Sequence, residues 1–125
     1  MKKLLILLVA LTLTLCQSTI AKTKQNYILS ESVGVHIASI YDQYQIGNID
    51  QAIVMAKNLV PSTKYDKAYI NQMIGMMYAN SDKVKAGIPY LQNALKSKAL
   101  SPASRKRAKE TLEKLNSLIA TKKEI

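Results

Sequence analysis

Several residue types that carry chemistry are scarce in this sequence, which has one cysteine, one histidine and no tryptophan or phenylalanine among 125 residues. A lone cysteine cannot form a disulfide within the chain, so stability has to come from packing. His36 has no Cys, Asp or Glu three or four positions away, and one imidazole cannot complete a metal's coordination shell. No glycine-rich phosphate loop and no nucleophile–base arrangement is present either. The sequence therefore predicts no metal, no cofactor and no enzymatic activity.

The N-terminus has the three parts of a secretory signal. Two lysines follow Met1, an apolar run spans residues 4–15, and Thr19 and Ala21 supply small residues at −3 and −1 of a cleavage site. The apolar run is shorter than the roughly 20 residues of a membrane-spanning helix. These features predict a signal peptide at residues 1–21 and export to a bacterial periplasm. An uncleaved anchor and a lipoprotein signal at Cys16 remain alternatives.

Acidic residues are also scarce, with eight against 18 lysines and arginines. Removing Lys2 and Lys3 with the signal lowers the formal charge of +10 to +8. Such a chain favours acidic partners, which include anionic lipid, an acidic protein face and nucleic acid. Export argues against nucleic acid, as does the lack of a dense aromatic platform for stacking bases.

The first half of the chain shows apolar residues at helical spacing. A helix is expected from about Glu31 to Gln45, with Ser30 as its N-cap, and a second apolar face follows and ends before Pro61. The third helix is expected to start at Ser62 or Thr63, where Thr63 to Asp66 approximates a capping box.

The second half continues the helical pattern. A fourth helix is expected to start between Val84 and Ala86, because Pro89 is tolerated only near a first turn. Ser101-Pro102 marks the start of a fifth helix, with serine as N-cap and proline at the first helical position. No segment alternates like a strand. The expected fold is all-α, with a lead-in at residues 22–29, a helical domain at 30–121 and a frayed tail at 122–125.

Residues 65–95 form the segment around which the other helices are arranged. Large apolar residues lie at helical spacing on both sides of a short polar turn at Asn80–Lys83. Small residues lie within both faces, at Gly75, Ala86, Gly87 and Ala94. Large residues facing small ones predict two closely packed antiparallel helices.

The chain also repeats itself at a spacing of 34 to 35 residues. The matched pairs are Ile40 with Ile74, Tyr44 with Tyr78, Ile49 with Val84, Ala52 with Gly87, Ile53 with Ile88 and Ala56 with Leu91. The second unit resembles the tetratricopeptide repeat family, with Ile74-Gly75 at its Leu-Gly pair, Tyr78, Gly87, Leu91 and Ala94. The first unit is degenerate, with Ser39-Ile40 where Leu-Gly would be. The resemblance implies antiparallel helical hairpins stacked as about two repeats, plus a C-terminal capping helix.

A narrower resemblance rests on Asp50–Ile53, Lys64–Ala68 and Gly87–Leu95 together with the signal peptide. These segments are similar to the first repeats of periplasmic proteins that accompany some TonB energy-transduction systems. The resemblance implies a non-catalytic scaffold of the cell envelope that binds other envelope proteins or peptides, with TonB-dependent transport as a possible setting. Two repeats leave apolar surface exposed at the ends, so self-association is a further expectation.

In the tetratricopeptide family the first helix of each repeat lines the concave face. The outward residues of helices one and three are therefore the candidate partner-binding residues: Asp42, Gln43, Asn71 and Gln72. Tyrosines are further candidates for a recognition surface: Tyr41, Tyr44, Tyr65, Tyr69, Tyr78 and Tyr90. Met73, Met76 and Met77 lie at helical spacing and are expected in the core.

The fifth helix supports a different function. It carries a run of cations, Arg105, Lys106, Arg107 and Lys109. In this alternative the chain is a basic envelope protein that docks on anionic lipid or polymer through these side chains. The two hypotheses differ in salt dependence, because charge docking weakens as ionic strength rises.

Overall fold

The computed structural model describes residues 27–123, and side chains from residue 27 to residue 121. The predicted signal at residues 1–21, with Cys16, lies outside the described residues, as does most of the lead-in. Within the described residues, helix is the only regular secondary structure. The helices are α1 (Glu31–Gln45), α2 (Ile49–Lys57), α3 (Lys64–Ala79), a 3-10 turn (Val84–Gly87), α4 (Ile88–Lys96) and α5 (Pro102–Lys123). The all-α prediction is confirmed.

The helix ends follow the local sequence signals. The capping box of α3 is formed: the Asp66 amide donates to Thr63 Oγ1 at 3.0 Å, and the Thr63 amide donates to the Asp66 carboxylate at 3.2 Å. The fourth helix starts later than the expected Val84 to Ala86: a 3-10 turn occupies Val84–Gly87 and α4 begins at Ile88, which places Pro89 in its first turn, where proline is tolerated. The Ser104 amide donates to Ser101 Oγ at 3.2 Å, which caps α5.

Three helix ends differ from the pattern. Helix α2 ends at Lys57, short of Pro61, and Pro61 restricts only Val60 directly before it. Ser30 is the N-cap residue of α1 but makes no side-chain cap bond there. Its hydroxyl donates to Asp66 instead, at 2.6 Å. Helix α5 continues through Lys123, beyond the expected end of the helical domain.

The core has two main parts. The larger lies among α1, α2 and α3, and its buried residues include Val33, Ile40, Ala52, Ile53, Ala56, Ile70, Met73, Ile74, Met77 and Tyr78. The second joins α4 and α5 through Leu91, Ala108 and Leu115. Helix α5 packs on α4 and also contacts α3. It therefore covers an apolar face of α4 that would otherwise meet water.

Helix α3 approaches the start of α4 very closely, as the small residues predict. A Cβ added to Gly75 would lie 2.6 Å from Leu91 Cγ, and one added to Gly87 would lie 2.9 Å from the Gly75 carbonyl oxygen. Real Cβ atoms essentially never come within 3.0 Å of another group. Glycine at both positions is what permits this contact.

Helices α1 and α3 run in the same direction. At their N-terminal ends the Ser30 amide donates to Asp66 Oδ1 at 2.8 Å. At their C-terminal ends Asn80 Nδ2 donates to Tyr44 Oη at 2.8 Å. Both pairs are 36 residues apart. Contacts at both ends therefore hold α1 and α3 side by side along their length.

Asp66 joins three segments through one fully buried carboxylate. It accepts bonds from the amide and hydroxyl of Ser30, from the Ser62 amide at 2.8 Å and from the Thr63 amide. Burial raises the pKa of this carboxyl, but the donated hydrogen bonds outweigh it and lower the pKa to about 2. The carboxylate is therefore ionised near neutral pH and anchors the start of α1 to the start of α3.

Arg105 is bonded within the protein although the sequence marks it as a candidate for an anionic surface. Its guanidinium donates to the carbonyl of Leu95 at 2.7 Å and to the carbonyl of Ser97. These carbonyls belong to the last turn of α4 and the residue after it, where a cation is favoured by unpaired backbone oxygens. Arg105 thus ties the first turns of α5 to the end of α4.

Replacing Arg105 is expected to weaken this join. Arg105→Ala leaves the two carbonyls without their donor, so we expect the free energy of unfolding to fall by about 2 kcal/mol. Urea unfolding followed by far-UV circular dichroism measures the change. Lys106→Ala, at the neighbouring exposed position, is the control and should shift it by less than about 0.5 kcal/mol. Equal effects of the two changes would contradict a specific role for the Arg105 bonds.

Candidate protein-binding groove

Side chains from α1, α3 and α5 line a common groove, which we call the tyrosine groove. Its cavity has a volume of about 230 Å³. Tyr41 and Tyr44 come from one face of α1, and Ser104 and Arg107 come from the first turns of α5. Helix α3 and the residue after it provide the remainder: Tyr69, Gln72, Met73, Met76, Met77 and Asn80.

Tyrosine hydroxyls span the groove between α1 and α3. The hydroxyls of Tyr41 and Tyr69 are 3.4 Å apart. Burial raises the pKa of Tyr69, as does its hydrogen bond to Tyr41, and the nearby Arg107 only partly opposes this shift. Both Tyr69 and the half-buried Tyr44 present a hydroxyl beside apolar ring surface. The groove can therefore combine apolar contact with hydrogen bonding.

Arg107 supplies the positive charge of the groove. The side chain is exposed, and the structure shows it no ion pair or hydrogen bond with another described residue. No carboxylate lines the groove among the described residues. A free guanidinium beside tyrosine rings favours an acidic or carboxylate-bearing ligand. Arg107, predicted for an anionic surface, thus faces the groove.

The three methionines line the groove and differ in how deeply they are buried. Met73 and Met77 are buried, with 4% and 3% of their surface exposed, which confirms them as core residues. Met76 is only half-buried and lies in the groove. Its flexible thioether offers an adaptable apolar contact.

The four candidate partner-binding residues do not form one surface. Gln72 does reach the groove, but it is buried, and its Nε2 donates to the Ser104 carbonyl at 3.2 Å. Asp42 is exposed on α1, and Gln43 accepts a bond from Asn48 Nδ2 at 3.0 Å. Asn71 lies on another face of α3, toward α4. Gln72 therefore positions α5 rather than presenting a free amide to a partner.

The predicted cationic set on α5 is also divided. Arg105 caps α4 and Arg107 enters the tyrosine groove, whereas Lys106 and Lys109 are exposed. Among the tyrosines, Tyr41, Tyr44 and Tyr69 share the groove, while Tyr78 and Tyr90 stack together at 5.8 Å elsewhere. Sequence reasoning missed Asn80 and Ser104. No motif or spacing marks these two residues, which reach the groove only through tertiary packing.

The lining of the groove combines tyrosine hydroxyls, methionine side chains and one arginine. Among residues 27–123, no group of three His, Cys, Asp or Glu side chains could hold a metal ion. The described helices also include none that is long and apolar enough to cross a membrane. Comparisons with protein-family models, with curated proteins and with solved structures found no match.

Proposed function

We propose that this chain is a non-catalytic interaction module of the bacterial cell envelope that binds a segment of another protein in the tyrosine groove. The observation that carries the proposal is the convergence of three helices on one groove. It presents Tyr41, Tyr69 and Met76 together with the unpaired Arg107. Tyrosine, methionine and arginine are enriched at protein interfaces.

The groove is suited to a preorganised mode of binding. Tyr44 is held by Asn80, Tyr69 by Tyr41, and Gln72 fixes α5 against α3. Side chains already held in place lose little conformational entropy when a ligand binds. A cavity of about 230 Å³ suits one apolar side chain of an extended segment, with a carboxylate placed at Arg107.

In this proposal the scaffold is tetratricopeptide-like. Helices α1 and α2 are one repeat, α3 and α4 are the next, and α5 is the capping helix. The Ser30–Asp66 and Tyr44–Asn80 contacts support this assignment, because they hold the first helices of the two units side by side in the same direction. Periplasmic location follows from the predicted signal at residues 1–21. We propose the components of a TonB system as the first candidates for the partner.

A pull-down from the native cells, without crosslinking, tests the proposal. The full-length chain carries a C-terminal tag, and the captured material is washed at low and at high salt. We expect an envelope protein to remain bound at high salt. Arg107→Gln should reduce its recovery by about tenfold, the cost of losing one charged hydrogen bond.

Lys109→Gln is the matched control, because it removes the same charge from an exposed position of α5 outside the groove. It should leave recovery unchanged. Equal loss with both variants would contradict groove binding. Recovery of lipid or polyanion alone, lost at high salt, would favour docking of the basic α5 on an anionic surface.

A further inference from the structure

Three unpaired lysines lie together on a different side of α3 from the tyrosine groove. Lys64 and Lys67 come from the first turn of α3, and Lys96 comes from the last turn of α4. They line a cleft of about 390 Å³ between the two helices. We call it the lysine cleft; its other lining residues are Ala68, Asn71, Asn93 and Ser97.

The lysine cleft has positive charge without compensation. None of its lining residues is acidic, and no Asp or Glu lies three or four positions from any of the three lysines. Asp66, the acid of this part of α3, is buried and bonded to Ser30, Ser62 and Thr63. Like charges held in one cleft repel one another, and a bound anion would relieve that repulsion.

A neighbouring lysine, Lys57, has the partners that the three cleft lysines lack within the part of the chain that the structure describes. Lys57 donates to Tyr78 Oη at 2.6 Å and lies 5.1 Å and 5.7 Å from the ring centroids of Tyr78 and Tyr90. The charge of this exposed lysine is therefore stabilised by contacts with two tyrosines of the same chain. The structure gives Lys64, Lys67 and Lys96 no such partner among the described residues.

The cleft also has amides and a fixed floor. Asn71 of α3 and Asn93 of α4 both line it, and their amides can donate to or accept from hydroxyl groups. Ala68 is buried with Ala94 and Leu100 beneath, so the floor is part of the core. Because the lysines lie in a cleft between two helices, the site fits a compact ligand better than a flat membrane.

We infer that the lysine cleft binds a phosphorylated sugar, with Lys64, Lys67 and Lys96 on the phosphates and Asn71 and Asn93 on the ring hydroxyls. Ammonium groups bind phosphate as point charges, and amide side chains bind hydroxyls. The sugar phosphate could be free or the head group of a lipid, since both present the same chemistry. This inference stands apart from the tyrosine groove, which shares none of these residues.

Isothermal titration calorimetry on the full-length chain tests the inference, with fructose bisphosphate as the probe and inorganic pyrophosphate for comparison. The variant Lys64→Gln/Lys67→Gln/Lys96→Gln should bind fructose bisphosphate about 30-fold more weakly, from the loss of three charged contacts. The control Lys106→Gln/Lys109→Gln/Lys114→Gln removes the same charge from exposed positions of α5 and should change affinity by less than about twofold. Far-UV circular dichroism checks that both variants fold.

Asn71→Ala separates sugar recognition from phosphate recognition. It should weaken fructose bisphosphate by about fivefold and leave pyrophosphate unchanged. Equal weakening of both probes would overturn the assignment of a sugar. No binding of fructose bisphosphate, or equal losses in the two triple variants, would overturn the site.

Vesicles of phosphatidylcholine containing a minor share of phosphatidylinositol phosphate distinguish the source of the ligand. If the cleft variant no longer binds vesicles while the α5 control still does, the ligand is a lipid-borne sugar phosphate. If the protein binds only the free probe, the ligand is a soluble sugar phosphate. Vesicle binding that both triple variants lose equally, without binding of the free probe, would overturn the proposal in favour of charge adsorption.

Discussion

Gly87→Ala is expected to lower the free energy of unfolding by about 3 kcal/mol. The new methyl group would lie 2.8 Å from Tyr78 Cβ and 2.9 Å from the Gly75 carbonyl oxygen. Neither atom can rotate away, since one is backbone and the other is fixed to it. The strain can be relieved only by separating α3 from α4, and overpacking of this kind costs about 1–3 kcal/mol. Urea unfolding followed by circular dichroism gives the value.

Gly34→Ala is the matched control, because the same substitution should have the opposite sign there. Gly34 is exposed within α1, and the nearest atom to an added Cβ is Leu29 Cβ at 4.0 Å. Alanine has the higher helix propensity, so we expect a gain of about 0.5–1 kcal/mol. If Gly87→Ala lowered the free energy of unfolding no more than Gly34→Ala, that result would contradict the close contact between α3 and α4.

Asp66→Ala is expected to lower the free energy of unfolding by about 3 kcal/mol. It removes the acceptor of bonds from Ser30, Ser62 and Thr63, and thereby the carboxylate half of the α3 capping box and the link to α1. Hydrogen bonds to a charged group contribute about 1.5–3 kcal/mol. Asp42→Ala, at an exposed carboxylate of α1, should change stability by less than about 0.5 kcal/mol. Similar losses in the two variants would contradict the anchoring role of Asp66.

The same carboxylate makes stability depend on pH. The pKa of Asp66 falls from 3.8 to about 2 on folding, so the unfolded chain binds the proton more tightly. The stabilisation is therefore complete above the unfolded value and is lost as pH falls through the folded one, by up to about 2 kcal/mol. Asp66→Asn should abolish this part of the loss between pH values of about 5 and 2. If Asp66→Asn lost as much stability at low pH as the wild type does, the loss would come from other carboxyl groups.

Local features of the fold could be predicted from the sequence. Apolar spacing predicts the helices, Thr63 and Asp66 predict the cap of α3, and Gly75 and Gly87 predict the close approach. Each of these signals lies within a few residues of its effect. The capping pattern does not reveal Ser30 as a partner of Asp66, because that contact joins residues 36 positions apart.

The residues that line the tyrosine groove and the lysine cleft were harder to predict, because they too are brought together by tertiary contacts. Asn71 and Gln72 are neighbours in the chain, yet successive helical residues point about 100° apart. Asn71 lies in the lysine cleft because α4 packs on its side of α3, and Gln72 lies beneath α5 because α5 packs on the other. The role of Arg105 depends on the end of α4, ten residues earlier. Periodicity identifies an exposed or buried face, whereas the partner of each face is a property of the tertiary structure.

Site-specific photocrosslinking in the native cells tests the proposed groove most directly. A photoreactive amino acid replaces Tyr41 or Met76 in the groove, or His36 or Val54 at exposed positions outside it. We expect the two groove positions to give an adduct with the same envelope protein, and the two outer positions to give none. Adducts formed equally from all four positions, or only from the outer pair, would contradict binding in the tyrosine groove.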